Sequence, residues 1–375
     1  MMTASVTTRP RSIGIVLHDF PLGGTERIAL RLARAWGEAG VAVTLFCGDR
    51  AGPLLALAPP SARIVPADPP IARGVGSRRR LGAAAARYFT ERPVDALFVT
   101  GNYHWEVTPA LAAIPADVRP AILVQISSPI EGARRGRLRQ RLFERRMRRL
   151  LAGADAIVAM DEPDRALATD ILGRDVVTTI PLPALDDDAP PPRPIPPGGT
   201  ILAAGRLIHQ KGFDLLIDAF ARLGDPGARL AIVGSGPEET RLRARIARHR
   251  LGDRVTLAGY APDIRPWLDA ARLFVLPSRF EGYGAVIVEA LAAGRPVLAT
   301  RSTPAVADLL GDPARGTVVP VADVAAMAAA LADMLAAPPP DPDALAAAVD
   351  GYRLSAGAEA YLALFARTMA ERAAT

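Results

Sequence analysis

Cysteine and histidine are scarce in this chain of 375 residues, and so are long apolar runs. The single Cys47 excludes an internal disulfide and a cysteine-rich metal site. The four histidines are scattered and form no metal-ligand pattern, so we expect no metal and no bound cofactor. No stretch is apolar enough to span a bilayer, and no signal peptide is recognisable. The sequence therefore predicts a cytoplasmic protein.

Lysine is also rare, although the chain is basic. The formal net charge is +6, and of the 45 basic residues only Lys211 is a lysine. This bias towards arginine indicates a GC-rich coding background, so the net charge is weak ground for a nucleic-acid partner and we expect none. A lone lysine in such a chain hints at a position that needs a compact ammonium group.

The beginning of the chain follows a strand–helix–strand pattern. A strand is predicted from Ser12 to His18, a helix from about Glu26 to Ala39, and a second strand from Val41 to Phe46. The first turn contains Gly23 and Gly24 but has neither a dinucleotide fingerprint nor a phosphate-binding P-loop. The glycine pair either lets the backbone approach a ligand or only forms a tight corner.

Two segments of the N-terminal half are unusual. The loop 101–106 follows a predicted strand and gathers polar and aromatic groups, among them His104, so it is a candidate wall of an acceptor site. The segment Arg134–Leu151 is a basic amphipathic helix, with Leu138, Leu142, Met147 and Leu151 at helical spacing. Such a helix either lies on an anionic membrane surface or packs on its own sheet with a solvated basic face.

A proline-rich segment separates two predicted domains. We expect an N-terminal domain at 1–185, a linker at 186–199, a second domain at 200–350, and a C-terminal helix at 351–375. Three consecutive acids, Asp186 to Asp188, lie in the linker and are expected to be solvated rather than to bind a metal.

The second domain begins with a strand at Thr200–Ala204 and the loop G-R-L-I-H-Q-K-G. This loop contains Gly205, Arg206 and Lys211, and it lies where a diphosphate could be bound and leaving-group charge stabilised. The next predicted strand, Arg229–Val233, is followed by Gly234 and Gly236.

The stretch from Leu276 to Gly294 has the pattern of a strand end, a glycine loop and a helix start. Gly282 and Gly284 would let the backbone approach an anionic ligand at the helix N-terminus. Glu281 and Glu289 could then accept hydrogen bonds from hydroxyl groups, which a nucleotide sugar offers beside its diphosphate. The alternative is two solvated glutamates stabilised by the helix dipole.

Four motifs in this order resemble retaining glycosyltransferases of the GT-B fold, family 4, over nearly the whole chain. They are G-G-T-E-R near the N-terminus, G-R-L-I-H-Q-K-G-F-D-L-L-I-D-A-F, I-V-G-S-G-P-E, and E-G-Y-G-A-V-I-V-E. The resemblance implies two Rossmann-like α/β domains that face each other across a cleft, with a C-terminal helix that returns to the first domain. It also implies a nucleotide-sugar donor and a glycan or lipid-linked acceptor.

The resemblance assigns a role to each matching residue. Arg206 and Lys211 would bind the diphosphate without a metal, Glu281 would contact the sugar, and Glu289 the ribose hydroxyls. The N–H groups of Tyr283, Gly284 and Ala285 would contact the sugar or phosphate, and Gly23 and Gly24 would close over the phosphates. Gly234 and Tyr260 would lie near the base. The other donor-binding positions would be Gly205, Gly236 and Gly282.

The chain departs from the family pattern in two places. Many members have a histidine where this chain has Ser127, and His104 is the substitute that we consider. Ser302-Thr303-Pro304 replaces a glycine-rich turn. An epimerase and a non-catalytic binding protein on the same fold are the alternatives, but Arg206, Lys211 and Glu281 are all present, which favours transfer. A dehydrogenase is disfavoured because the dinucleotide fingerprint is missing.

Overall fold

The computed structural model describes residues 8–130 and 136–374, and it divides into two compact units. Unit 1 contains residues up to Pro183 together with the C-terminal segment from Leu354, and unit 2 runs from Ala184 to Arg353. The predicted two-domain α/β architecture with parallel sheets is confirmed. The helix after residue 353 belongs to unit 1, and the proline-rich segment belongs to unit 2.

Unit 1 contains a parallel sheet of seven strands in the order β3-β2-β1-β4-β5-β6-β7. Its central strands are fully buried and apolar throughout, as strands covered by helices on both faces are. The strands are β1 (Ser12–Leu17), β2 (Ala42–Cys47), β3 (Arg63–Pro66), β4 (Ala96–Val99), β5 (Ala121–Gln125), β6 (Ala156–Ala159) and β7 (Val177–Thr179).

The helices of unit 1 in its N-terminal part are α1 (Gly24–Glu38), α2 (Ser77–Glu91), α3 (Gly101–His104), α4 (Thr108–Ala112), α5 (Arg137–Leu151) and α6 (Glu162–Leu172). Helix α1 buries a stripe at helical spacing that includes Ile28, Leu32 and Trp36. The indole of Trp36 packs edge-on against Phe98 and Phe365, so the C-terminal helix completes this core.

Unit 2 contains a parallel sheet of six strands in the order β10-β9-β8-β11-β12-β13. The strands are β8 (Thr200–Ala204), β9 (Arg229–Val233), β10 (Val255–Gly259), β11 (Leu273–Leu276), β12 (Val297–Thr300) and β13 (Gly316–Val319). The helices are α7 (Phe213–Ala221), α8 (Glu239–Arg248), α9 (Arg265–Ala270), α10 (Ala285–Ala292), α11 (Pro304–Leu309), α12 (Val324–Ala336) and α13 (Pro342–Ala347), and α14 (Leu354–Ala373) returns to unit 1.

The proline-rich segment is not a free linker. Arg265 donates to the carbonyl oxygen of Pro190 at 2.6 Å, and the fully buried Arg295 donates to that of Arg193 at 2.7 Å. Proline has a carbonyl acceptor but no N–H donor, so it cannot pair its backbone within such a segment. The side chains of these two arginines supply hydrogen-bond donors instead and hold the proline-rich segment against the rest of unit 2.

The C-terminal helix starts later than the predicted range of 351–375. Residues Asp350–Tyr352 form a 3-10 turn, and α14 begins at Leu354. Tyr352, at the start of the predicted range, lies in unit 2, where the hydroxyl of Tyr283 donates to its hydroxyl at 3.2 Å. Tyr361 and Phe365 of α14 are fully buried in unit 1.

A buried carboxyl at the start of α6 makes the stability of unit 1 depend on pH. Asp164 accepts a hydrogen bond from the N–H of Ile130 at 3.1 Å, and burial, with the charge of Asp161, raises its pKa to about 6. Because the folded state holds this proton more tightly than the unfolded state, the stability from this group falls as pH rises from about 4 to about 6.

We therefore expect Asp164→Asn, which keeps the acceptor oxygen and removes the charge, to stabilise the protein at pH 7.5 by on the order of 1 kcal/mol. At pH 4 the variant and the wild type should unfold at the same temperature. Thermal unfolding followed by circular dichroism between these pH values measures the difference. An identical pH profile in the two proteins would contradict the assignment.

Candidate functional site

Sheet topology places the candidate site of unit 2 between two strands. From β8 the chain builds β9 and β10 on one side, and it then returns to build β11, β12 and β13 on the other. In open α/β sheets ligands bind outside the carboxyl ends of the strands at such a switch point. The loops that follow β8 and β11 contain Arg206, Lys211 and Glu281, which were predicted from the sequence.

Lys211 and Glu281 contact each other directly. The ammonium nitrogen of Lys211 donates to Oε1 of Glu281 at 2.6 Å, and the two side chains are only 17% and 9% exposed. The hydroxyl of Ser278 donates to the same oxygen. An ammonium group has three donors, so Lys211 retains donors for an anion beside this pair. The pair could therefore bind an anion through the Lys211 ammonium and a neighbouring hydroxyl group through the Glu281 carboxylate.

Arg206 is placed differently from Lys211. The residue is exposed, and its guanidinium forms no hydrogen bond or ion pair with residues 8–130 or 136–374. It follows Gly205 directly after β8, at the same edge of the sheet as Lys211. The structure therefore brings Lys211 and Glu281 into contact and leaves Arg206 free to meet a ligand from solvent.

Close backbone contact explains why glycine follows β8 and β9. A Cβ atom on Gly234 would lie 1.9 Å from the carbonyl oxygen of Gly205, and the φ of Gly234 is +150°. Any side chain at Gly234 would push apart the loops after these two strands. Gly236 follows in the same loop, and the N–H of Leu207 donates to the carbonyl of Ser235 at 2.8 Å. The glycines at this edge of the sheet therefore have a packing role.

The start of α10 has the geometry of an anion-binding helix end. Gly284 caps the helix with φ +91°, a conformation that favours glycine, and Ala285 is the first helical residue. The first N–H groups of a helix have no partner within it and carry the positive end of the helix dipole. Gly282 and Tyr283 lie in the loop just before, and Glu289 is on the second turn, half-buried.

Tyr260 lies at the edge of this region. It follows β10, the edge strand of the sheet, and its side chain is 55% exposed. The N–H of Gly234 donates to the carbonyl of Gly259 at 2.7 Å, so the loop after β9 is bonded to the end of β10.

His104 is not an exposed contact for an acceptor, which corrects the sequence-based expectation. Its ring is fully buried, with Nδ1 2.6 Å from the carbonyl oxygen of Thr100 and Nε2 accepting from the N–H of His18 at 3.1 Å. Burial lowers the pKa of His104 to about 4, so the ring is neutral at pH 7. Both nitrogens are used to hold the loops after β1 and β4 together.

The glycine pair of unit 1 lies at the start of α1. Gly23 is the N-cap, and a Cβ atom there would lie 2.2 Å from the carboxylate of Glu26, whereas Gly24 has open space around it. Glu26 is buried at this helix end, and burial raises its pKa. Gly23 therefore makes room for the Glu26 side chain.

Three side chains near the carboxyl ends of the strands in the two sheets were not identified from the sequence. Ser278 lies in the stretch from Leu276 to Gly294, three residues before Glu281, and its pairing with that glutamate was not foreseen. The fully buried His18 was predicted as the last residue of a strand, and Arg73 lies in an irregular segment before α2 that has no recognisable pattern. Ser127, at the position where many family members have histidine, accepts from the N–H of Asn102 at 3.1 Å.

In the part of the chain that the structure describes, no group of three or more histidine, cysteine, aspartate or glutamate residues is placed to hold a metal ion. Among the same residues, no helix has both the length and the apolar character needed to cross a membrane.

Two relatives that match over part of their length are named as glycosyltransferases of lipopolysaccharide core and colanic acid biosynthesis. The chain is 38% identical over 137 residues to the lipopolysaccharide core biosynthesis mannosyltransferase LpsB of Rhizobium meliloti, an alignment that covers 34% of this chain and 39% of the relative. It is 34% identical over 154 residues to the putative colanic acid biosynthesis glycosyltransferase WcaL of Escherichia coli, covering 38% of each protein. The alignments thus span less than half of these relatives.

Solved glycosyltransferases share the fold over nearly the whole chain. The lipopolysaccharide outer core galactosyltransferase WaaB matches with a TM-score of 0.72 at 14% identity, covering 93% of this chain and 98% of the other. Alr3699/HepE of Anabaena, in complex with UDP and glucose, matches with a TM-score of 0.69 at 18% identity, covering 97% and 99%. At these identities the likeness shows the fold alone.

Family models match both units. Residues 23–183 match the glycosyl transferase 4-like domain, and residues 198–337 match the model described as glycosyl transferases group 1. Together the two matches cover most of the chain, with the second spanning the loops that hold Arg206, Lys211 and Glu281. The chain belongs to the group 1 glycosyltransferases.

Proposed function

We propose that this protein is a retaining glycosyltransferase of family 4 that moves a sugar from a nucleotide-diphosphate sugar to a glycan or lipid-linked acceptor in cell-surface polysaccharide or glycolipid synthesis. The observation that carries the proposal is the Lys211–Glu281 pair at the switch point of unit 2. Its ammonium suits a diphosphate and its carboxylate suits a sugar hydroxyl. The polysaccharide setting is supported by the named activities of the two relatives that match over part of their length.

In the proposed reaction the bond between the anomeric carbon and the diphosphate oxygen breaks. The acceptor oxygen forms its bond on the same face of the sugar, and its proton passes to the departing phosphate. Lys211 and Arg206 stabilise the charge that develops on the diphosphate. Because protein cations do this, no metal is required in our proposal.

The other predicted residues hold the donor. Glu281 accepts from a sugar hydroxyl, the N–H groups at the start of α10 from Tyr283 to Ala285 bind the sugar or phosphate, and Glu289 accepts from the ribose. Gly205, Gly234 and Gly236 shape the loops beside the donor, and the exposed Tyr260 borders the base. This is catalysis by positioning and electrostatics, without a protein nucleophile.

A panel of UDP-, GDP- and ADP-sugars tests the proposal. Purified protein should hydrolyse or transfer from at least one donor at the same rate with and without EDTA. Proton NMR of the product should show the anomeric configuration of the donor. Loss of activity in EDTA would refute metal independence, an inverted product would refute retention, and no turnover of any donor would refute the transfer proposal.

The basic helix supports a proposal for the working location. The C-terminal part of α5 packs on unit 1 through Met147 and Leu151, whereas Leu138 and Leu142 are 72% and 56% exposed. Exposed arginines surround these two leucines at positions 137, 139, 141 and 145; Arg134, where the predicted helix begins, lies outside the described residues. We propose that this end of α5 rests on the anionic inner membrane surface.

We expect the protein to sediment with anionic phosphatidylglycerol vesicles at low salt and to dissociate as ionic strength rises. A double variant, Leu138→Ser with Leu142→Ser, should bind several-fold more weakly because it loses the apolar contribution. Leu57→Ser, which changes an exposed leucine elsewhere on unit 1, is the matched control and should bind like wild type. Equal sedimentation of all three proteins would refute the role of α5.

A further inference from the structure

A buried histidine without a hydrogen-bond partner lies at the end of β1. The side chain of His18 is 0% exposed, and neither Nδ1 nor Nε2 bonds any residue in 8–130 or 136–374. Buried polar side-chain atoms in folded proteins nearly always have a partner in the protein or in ordered water. The His18 ring therefore retains one donor and one acceptor for a group outside the chain.

The position of His18 is that of a ligand-contacting residue. In unit 1 the chain builds β2 and β3 on one side of β1 and then returns to β4 on the other, so the switch point lies between β1 and β4. His18 follows β1, and Tyr103 lies in the short helix α3 that follows β4, with the two rings 6.0 Å apart in edge-on contact. This is where an open α/β sheet binds its ligand.

Two arginines cover Tyr103. The guanidinium carbon of Arg73 lies 4.5 Å from the centre of the Tyr103 ring, and that of Arg78 lies 4.9 Å from it. Arg73 also donates to both oxygens of Asp19, at 2.6 to 2.9 Å, and lies 3.4 Å from Glu26. Arg73 therefore bridges the loops after β1 and β4 in front of His18.

The charges near His18 are largely matched by partners. Arg73 pairs with Asp19, and Arg78 pairs with Glu106 at 3.2 Å. Burial and the neighbouring arginines lower the pKa of His18, so its ring is neutral at pH 7. A neutral ring among paired charges is suited to a hydroxyl group, which also donates one hydrogen bond and accepts others, rather than to a second anion.

We propose that His18 binds a hydroxyl group of the sugar acceptor, and that Tyr103 and Arg73 form a movable cover over it. The proposal rests on the proposed transfer function and deepens it. Because the ring is fully buried, the acceptor reaches it only when this cover moves. Arg73 is suited to such movement, since its side chain is 39% exposed and lies in an irregular segment between β3 and α2.

Selective labelling offers a test that does not require turnover. The chain has only four histidines, so protein labelled with 15N-histidine gives a countable set of ring signals, and His18→Gln assigns one of them. We expect a panel of methyl glycosides to shift the His18 ring signals and to leave unchanged those of His249, which lies in unit 2 and pairs with Asp218 at 2.9 Å. Unshifted His18 signals with every glycoside at saturating concentration would overturn the proposal.

A kinetic test separates this proposal from the general function. We expect His18→Phe to raise the KM for a methyl glycoside acceptor about 10- to 100-fold and His18→Gln to recover part of the loss, because glutamine again offers a donor and an acceptor. Hydrolysis of the donor in the absence of acceptor should stay within about twofold of wild type. Wild-type KM in folded His18→Phe overturns the proposal, whereas failure of the wild type to use any donor overturns the transfer function instead.

Discussion

Lys211→Ala is expected to lower the rate of glycosyl transfer by about a hundred- to a thousandfold, the usual effect of removing one group that stabilises charge in a transition state. Lys211 is the only lysine of the chain, it is largely buried, and its ammonium lies 2.6 Å from Glu281. The variant loses the donors that we assign to the departing diphosphate. It also leaves the Glu281 carboxylate without its cation.

Two further variants separate these effects. Lys211→Arg keeps the charge but changes the shape of the donor group, so it should recover only part of the rate. Arg241→Ala removes an exposed cation of unit 2 that pairs with Glu238 at 3.0 Å, and it should transfer like wild type. Initial rates with the accepted donor, together with the unfolding temperature of each variant, give the comparison. Wild-type turnover in Lys211→Ala would refute the diphosphate assignment.

Trp36→Ala is expected to destabilise unit 1 by about 3 to 5 kcal/mol, the range for truncating a large buried aromatic side chain. The indole is fully buried and packs against Phe98, Tyr361 and Phe365, with ring centres 5.7 to 6.0 Å away. Its Nε1–H also donates to the carbonyl of Ala358 at 3.2 Å. The substitution therefore opens a cavity between α1 and α14.

The half-buried Trp267 of unit 2 provides the matched control. Trp267→Ala removes the same side chain from a site that is less enclosed, so its cost should be smaller. Urea unfolding followed by circular dichroism measures both variants. A loss in Trp36→Ala no greater than that in Trp267→Ala would show that α14 contributes little to the core of unit 1.

The loop between β11 and α10 could be predicted because its signal is local. A buried strand, a glycine loop and a helix start follow one another within about twenty residues, and the observed β11, Gly284 and α10 match that pattern. The contact between Lys211 and Glu281 could not be predicted from this alone. It joins residues 70 positions apart and depends on the pairing of β8 with β11.

Other features depend on packing that the pattern does not encode. Strand β3 (Arg63–Pro66) is a short edge strand with no fully buried residue, so its sequence lacks the apolar run that identifies β4 or β6. His104 and His18 follow neighbouring strands. The sequence around each residue does not show which imidazole ring has its nitrogens hydrogen-bonded to the backbone. Only the three-dimensional contacts show that His104 is used internally and His18 is not.

The most direct test of the account is a calorimetric comparison of nucleoside diphosphates with their nucleosides. Wild-type protein should bind at least one of UDP, GDP and ADP far more tightly than the corresponding nucleoside, because we propose that Arg206 and Lys211 bind the diphosphate. That preference should largely disappear in the double variant Arg206→Ala with Lys211→Ala and persist in Arg241→Ala. An unchanged preference in the folded double variant would contradict the central claim.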